Sequence, residues 1–583
     1  MTAVQEVRDS YFAWAPSEDP EFAPLLIGGG SIGGKGRSLL FAFRVLWDSD
    51  NDALKSVILP RSRYIGTDVF EEFASSVPNL GQLRAEALSG SPDAARRLED
   101  EFLKAELPSY VKSALQSYLA EMRDPVIVRS SSLQEDSLKY SFAGKYMSPF
   151  LLNAGDSLSE RTEAVEREIK RVYSRIYFPS AVTYRQKHGL GDDLMGIALM
   201  RISGRWRGRY YYPTTAGVGL SYNGRRWTTR IKREDGLIRM VFGLGTMSTT
   251  RGYARTYSLT NPYLRPEGSN SYNIMKHSQE RFNAIDRETG AHVTINVKDI
   301  WRDSFRCHPD FSTYANLYLY DEEQGYFTPL DKACIFSPAE GKVCMPFESF
   351  PRAHKKFFET MSKLMPLLQE KMGAYADIEF AYEPLDHRLE LLQARPLWIN
   401  EVHDISACPT YPEQDTLLRA DRMVTDGCST DIGRLVLVDH KIYSESGDFQ
   451  NIARSLGEMN NRLSPNKYIL VAPGRVGSSS PELGVPVRYD EITGVSCIVE
   501  VGIPRTGQMP ELSYGTHFFS DLETDEVLYM PVFMGESNNV FNETWFETTP
   551  FEYGDHKAIR LYHGNFQVYM NGDHNVGIVA CVP

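Results

Sequence analysis

Residues 377–394 read DIEFAYEPLDHRLELLQA: two apolar-rich runs, Asp377–Tyr382 and Leu389–Ala394, about a short break containing Pro384 and Asp386. Side chains alternating with period two, and turn residues between the runs, predict a hairpin of two paired strands. This feature commits the region to a sheet. The same alternation puts Asp377 with Glu379 on one face, and Gln393 with Arg395 on one face. Glu379 and Arg395 are open to two readings, a structural ion pair or a pair of ligand contacts.

The rest of the chain supplies the layers such a sheet needs. Ile27–Arg37, IGGGSIGGKGR, runs into SLLFAFRVLW, which predicts a glycine loop feeding a helix. Ser56–Ile65 reads as a strand, with Pro60 arguing against a central position. Residues 86–121 and 159–187 carry helical spacing, the latter with a break near Pro179, and 353–371 is again helical. Pro125–Arg129 reads as a short buried strand ending in the polar string SSSLQEDS. Leu194–Ile202 reads as a central strand, and 209–221 and 239–243 as further sheet elements. Residues 1–24 read as an arm docked on the body, and 253–340 as an insertion within a first domain over 25–399. Residues 400–426 read as a linker. Short β-rich segments at 434–438, 468–472, 496–501 and 526–530 and a helical stretch at 451–462 define a second unit over 427–535, with 536–583 as a C-terminal extension. The pattern predicts a mixed α/β (α+β) fold.

Composition narrows the function classes. The net charge is −13, from 63 basic and 76 acidic residues, so no nucleic-acid partner is expected. No apolar run approaches the roughly 18 residues of a membrane helix, and the N-terminus lacks a signal-peptide pattern. Seven scattered cysteines without a CxxC spacing fit a reducing, cytoplasmic setting.

Four islands carry the chemistry: GGKG with Gly34 and Lys35, VRSSS with Arg129, the Gly243–Gly245 turn, and Glu379 with Gln393 and Arg395. Each alone has a plain structural reading, and GGKG lacks the spacing of a Walker loop. Together they suit a nucleoside triphosphate. Glycine loops turn backbone N–H groups to phosphate oxygens, Lys and Arg add charge-assisted bonds, and a carboxylate holds Mg²⁺.

The strings GGSIGGKGRSL, PVIVRSSSLQEDSLKYSFAGKY, VFGLG and ADIEFAYEPLDHRLELLQARPL occur in this order, and the chain resembles, over about residues 25–397, the nucleotide-binding domain of phosphoenolpyruvate synthase and pyruvate phosphate dikinase. The resemblance implies an ATP-grasp domain followed by a smaller mixed α/β domain, with ATP and Mg²⁺ as cofactors. It implies that Lys35 and Arg129 contact phosphates and that Ser141 to Gly144 fold over them. It puts the strand containing Met200 beside the adenine. Glu379 with Gln393 would hold the metal, with Arg395 near the terminal phosphate. The family writes Glu after GLG, whereas Thr246 follows here, leaving one anionic group fewer.

The second unit resembles, through DIGRLVLV, YILVA and YGTHFFSDL, the swivelling phosphohistidine domain of these enzymes. His517 would then carry phosphate, although a buried structural histidine reads equally well. The loop Pro473–Pro486, PGRVGSSSPELGVP, sets Arg475 and Ser478 where an anion or acceptor could bind, or forms a surface Ω-loop. About 48 residues follow Gly535, against roughly 250 for the barrel of the complete enzymes. The expected activity is an ATP-dependent phosphotransferase acting on His517 or a small-molecule acceptor. A nucleotide sensor without turnover and an ATP-grasp ligase stand as alternatives. A homodimer is left open, since cyclic pairs are the commonest oligomers.

Overall fold

The structure, a computed structural model, describes all residues except 1–2, 136–144, 156, 224–230, 249–254, 266–270, 277, 298, 300–317, 321–324, 326, 330–341, 398–408, 464–466, 479–480, 504–511, 514–521, 523–526 and 583. The chain forms two compact units: Met1–Asn223 with Glu234–Trp398, and Gly224–Arg233 with Ile399–Pro583. The architecture is mixed α/β, with helices and sheets in the first unit and a mostly β second unit. Among the described residues no helix is long and apolar enough to cross a membrane.

The first unit begins with helix α1 (Ala3–Ala13). Tyr11 is buried and its hydroxyl meets Ser38 Oγ at 2.6 Å, while Arg8 donates to the Gly373 carbonyl at 3.1 Å. Helix α2 (Gly33–Trp47) follows the glycine loop and buries Leu39, Leu40, Phe43 and Leu46. That spacing makes one apolar stripe.

One sheet takes the order β1-β2-β5-β3-β4, comprising β1 (Leu26–Ile27), β2 (Ser62–Ile65), β3 (Val126–Ser132), β4 (Phe150–Leu151) and β5 (Met195–Arg201). β5 is central, as its apolar run predicts. β2 corrects the expectation from Pro60. It lies between β1 and β5, with both edges hydrogen-bonded. It begins two residues after the proline, so the missing N–H stays outside the ladder. β3 continues through the three serines rather than ending at Arg129. Ser130, Ser131 and Ser132 are fully buried, and Ser131 Oγ accepts from Gly36 N at 2.9 Å and donates to the Ile32 carbonyl at 2.7 Å. Satisfied hydroxyls make a buried polar strand end affordable. Helices 67–75, 80–87, 92–104, 109–120, 158–174 and 179–187 surround a core that includes Phe73, Leu98, Phe102, Val128 and Tyr173.

A second sheet takes the order β10-β9-β8-β16-β17: β8 (Thr215–Leu220), β9 (Leu237–Phe242), β10 (Arg255–Ser258), β16 (Tyr375–Glu383) and β17 (Arg388–Leu397). β16 and β17 are the hairpin expected over 377–394, paired antiparallel with Asp377 opposite Arg395 and Glu379 opposite Gln393. The helix Lys355–Met372 packs Phe357, Met361 and Leu364 into the same core as Met240, Ile378 and Phe380. A third sheet joins β6 (Arg205–Arg207), β7 (Tyr210–Tyr212), β11 (Arg281–Asp286) and β12 (His292–Asn296). A small one joins β13 (Tyr318–Tyr320), β14 (Phe327–Pro329) and β15 (Lys342–Cys344). Within 253–340, Tyr257, Phe282 and Ala284 are fully buried in the central core. That stretch therefore contributes core as well as excursions.

The second unit is built on one sheet and includes the helices His440–Ser446, Phe449–Leu463 and Glu543–Thr548, the second of them matching the helical stretch expected at 451–462. Four parallel strands, β19 (Gly427–Val438), β20 (Tyr468–Pro473), β21 (Val495–Gly502) and β22 (Leu528–Phe533), lie in sequence order. Beyond β19 come antiparallel β25 (Ile559–Asn571), β26 (Val576–Val582), β18 (Thr416–Ala420) and β23 (Val540–Phe541), while β24 (Glu552–Tyr553) pairs with β25. Alternate residues of β20 and β21 enter opposite cores, Leu470 and Ile498 on one side and Val471 and Val499 on the other. Such two-sided burial is what a continuous apolar strand requires. β18 falls within the stretch read as a linker, and β25 and β26 within the stretch read as an extension. Both belong to this sheet.

Candidate functional site

The site of the first unit is built where α2, β3 and the β16–β17 hairpin converge. Gly33 has φ +74°, and a Cβ there would stand 1.6 Å from the Ser131 carbonyl oxygen. Only glycine allows that contact. It sets the start of α2 directly against β3, with Gly34 buried in the first turn and Lys35 following. The loop ahead is held by Asp68, whose Oδ2 accepts from Gly29 N at 2.6 Å.

Lys35 Nζ lies 2.6 Å from Glu135 Oε1 and 3.3 Å from Ser130 Oγ. Glu135 is 2% exposed. Its Oε2 accepts from Ser132 N at 2.9 Å, and Ser132 Oγ accepts from Glu135 N at 3.2 Å. This reciprocal pair is the S-x-x-E arrangement of a capping box. It pins the carboxylate, which in turn orients the ammonium.

Arg129 extends from β3 to the hairpin. Its Nη2 donates to Glu379 Oε2 at 3.0 Å and, in a shorter contact, to Gln393 Oε1. Its Nη1 donates to the Leu392 carbonyl at 3.0 Å. Leu392 is available because the register shifts after Glu379, so Phe380 faces Leu391. The bulge leaves one carbonyl out of the ladder. Arg395 binds Asp377 Oδ2 through Nε at 2.8 Å and Nη2 at 2.7 Å. Burial pushes the Glu379 carboxyl up, but the charges of Arg129, Arg395 and Lys35 and the Arg129 hydrogen bond outweigh it, and the group sits below the usual glutamate value. Near-neighbour cations favour the carboxylate form.

Thr246, in the position the family writes as Glu, accepts from Asn283 Nδ2 at 2.7 Å and meets His292 Nε2 at 3.2 Å. The His292 ring stacks on Phe150 at 5.0 Å, and burial lowers its pKa. The cluster is therefore neutral where a carboxylate is expected. Met200 is 3% exposed in the apolar core with Tyr64 and Phe43. Ser141, Gly144 and His517 lie outside the described residues.

In the second unit, Arg475 and Ser478 follow β20. Arg475 N donates to the Leu483 carbonyl at 2.9 Å, and Ser478 is buried. Gly474 and Gly484 close the neck of this loop. A Cβ on Gly484 would stand 2.1 Å from the Arg475 carbonyl oxygen. Glu500, fully buried near the end of β21, holds the loop from beneath. It accepts from Val476 N at 2.8 Å, Ser513 N at 2.7 Å, Tyr529 OH at 2.6 Å and Ser513 Oγ. Burial raises its pKa, partly offset by these donors.

Glu135, Asp68, Glu500 and the Leu392 carbonyl are not among the residues that the sequence singles out. Glu135 had a readable signal, the SLQE spacing after the strand. The others depend on contacts between distant segments.

Among the described residues no group of three or more His, Cys, Asp and Glu side chains could hold a metal ion. The donor pair Glu379 and Gln393 nonetheless fits Mg²⁺ chemically. Both offer oxygen, the ligand that a hard cation demands, and both oxygens already converge on one cationic nitrogen.

A glycine-headed helix carrying a lysine, beside a hairpin that presents arginine, carboxylate and amide groups, defines an α/β nucleotide-binding domain. Residues 30–404 match the family described as pyruvate phosphate dikinase, AMP/ATP-binding domain, and the chain belongs to that family. ATP binding and phosphotransferase-type chemistry are the family's marks. The chain is also similar to the rifampicin phosphotransferase of Streptomyces sviceus, with 27% identity over 178 residues, 29% of this chain and 19% of that protein. The match thus spans about a fifth of the relative's length.

Proposed function

We propose that the chain is an ATP- and Mg²⁺-dependent phosphotransferase of the phosphoenolpyruvate synthase and pyruvate phosphate dikinase type, with an ATP-grasp nucleotide-binding domain. The observation that carries this reading is the convergence of Arg129, Glu379 and Gln393, with Lys35 and Arg395 contributing charge to the same carboxylate. Phosphoryl transfer asks chiefly for positioning and for charge to meet the phosphate oxygens. Lys35, Arg129 and Arg395 supply the charge, and the Gly33–Ser131 contact and Glu135 supply the positioning. Glu379 and Gln393 would hold Mg²⁺, which would supply positive charge to neutralise charge developing in the transfer.

The phosphoryl group goes either to His517, as in a swivelling phosphohistidine domain, or directly to a small-molecule acceptor near Arg475 and Ser478. The similarity to a phosphotransferase supports the reaction class. A second reading is favoured by Thr246. With a neutral Thr–His–Asn cluster after GLG, the domain would bind ATP and regulate without turnover.

The test is incubation of the purified chain with Mg·ATP labelled at the β or the γ phosphate, beside His517→Ala. Acid-labile label absent from H517A supports the carrier, and the labelled position separates dikinase from kinase chemistry. Label on neither protein nor any product, with ATP bound but not consumed, overturns the phosphotransferase reading in favour of the regulatory one.

A further inference from the structure

Arg129 raises a problem for any cation at this site. Its Nη2 takes a lone pair from Glu379 Oε2 and another from Gln393 Oε1, the two oxygens assigned to Mg²⁺ above. Gln393 is 5% exposed, so its amide oxygen has little other space in which to be approached. These oxygens keep further lone pairs, but a divalent cation sharing them with the guanidinium would stand against a like charge a few ångströms away. Arg129 also keeps a contact that does not compete, from Nη1 to the Leu392 carbonyl exposed by the bulge. The guanidinium can therefore leave the two side-chain oxygens without losing its anchor.

We propose that Arg129 is a built-in stand-in for the cation. In this structure it bridges Glu379 and Gln393. On binding of the metal–nucleotide complex it yields both oxygens, pivots on the Leu392 carbonyl and turns its freed nitrogen to the phosphates. The inference rests on the reading of Glu379 and Gln393 as the metal pair, and it adds an order to binding. A divalent cation arriving alone must displace a guanidinium that gains nothing in return. Arriving with a triphosphate, it displaces a guanidinium that finds new anionic partners. Metal and nucleotide then bind with positive coupling, each raising the other's affinity by the same factor. Arg395 is paired with Asp377 and contributes to Glu379 through charge.

Mn²⁺ provides the probe, with free Mn²⁺ read by electron paramagnetic resonance in titrations of the full chain. Wild type, Arg129→Met, Arg395→Met and Glu379→Gln are compared with and without a non-hydrolysable ATP analogue. Without nucleotide, R129M binds Mn²⁺ about tenfold tighter than wild type, the worth of displaced hydrogen bonds to a charged group. R395M, which removes the same charge from the neighbourhood but not from the shared oxygens, tightens binding less. The analogue strengthens Mn²⁺ binding to wild type more than to R129M. Arg129→Lys, which returns a cation, moves affinity back toward wild type. Melting curves verify folding, and Arg129→Gln substitutes for R129M if the latter does not fold. R129M binding Mn²⁺ no tighter than R395M overturns the stand-in while leaving the metal pair intact. Mn²⁺ binding unaffected by E379Q, with the analogue present, overturns the metal pair and the stand-in with it.

Discussion

Gly33→Ala tests the joint on which the site is assembled. The added Cβ would fall 1.6 Å from the Ser131 carbonyl oxygen, while real Cβ atoms essentially never come within 3.0 Å of such an atom. The start of α2 and the end of β3 must therefore separate by about 1.4 Å. Neither side can yield locally, because Ser131 is also bonded to Gly36 N and the Ile32 carbonyl. The φ of +74° adds left-handed strain of about 1–3 kcal/mol for a non-glycine residue. Lys35 rides on the displaced turn and loses its 2.6 Å approach to Glu135. Misplacement by about 1 Å costs on the order of 100-fold in a positioned site. We expect Mg·ATP affinity, measured by calorimetry, to fall by about that factor, with stability in urea lower by about 2–4 kcal/mol. Gly81→Ala is the matched control. Nothing lies within 4 Å of a Cβ there and the residue is helical, so the change leaves binding unaltered and adds up to about 1 kcal/mol of stability. A folded G33A protein that binds Mg·ATP within about threefold of wild type would show that the Gly33–Ser131 contact does not set the site, since threefold is well under 1.4 kcal/mol.

Glu135→Gln leaves Lys35 without its charged partner, and Mg·ATP affinity falls about tenfold, the value of one charge-assisted hydrogen bond; unchanged affinity in the same calorimetric titration would remove Glu135 from the site. Glu500→Ala strands the donors of Val476, Ser513 and Tyr529, and urea unfolding should register a loss of about 3–5 kcal/mol. His354 is 5% exposed, and burial, with the charge of His387, lowers its pKa from 6.5 to about 4. Between those values the unfolded chain binds the proton and the folded chain does not, so stability falls by about 3 kcal/mol as pH drops from 6.5 to 4. His354→Phe flattens that slope in pH-dependent melts, and a slope that persists would assign it to another group.

The hairpin is the clearest case of structure readable in the sequence. Period two and a proline-containing break suffice to pair the two runs as a hairpin, because both features act over neighbouring residues, but not to set Glu379 opposite Gln393, which depends on the register shift. The glycine loop was readable for the same reason, although no spacing could show that Gly33 meets Ser131, almost a hundred residues away. The bulge at Leu392 was hidden, since an apolar residue in an apolar strand carries no mark of register. Pro60 misled because a proline just ahead of a strand and one within it look alike until the first ladder bond is located. In the second unit β20 and β21 announce themselves as apolar runs. β25, RLYHGNFQVYMN after Ile559, mixes polar and aromatic residues, and its place beside β19 depends on pairing across more than a hundred residues. The family match covers residues 30–404, so the chemistry of the first unit was far more legible than that of the second.

Lys35, Arg129, Glu379, Gln393 and Arg395 are proposed to form one Mg·ATP site. Calorimetric titration of Mg·ATP into wild type, Lys35→Met and Glu379→Gln tests it most directly. One binding event is expected in wild type, weakened at least tenfold in each variant, or about 1.4 kcal/mol, with melting curves unchanged enough to show folded protein. Wild-type affinity in folded K35M and E379Q, or no Mg·ATP binding to wild type at all, would contradict it.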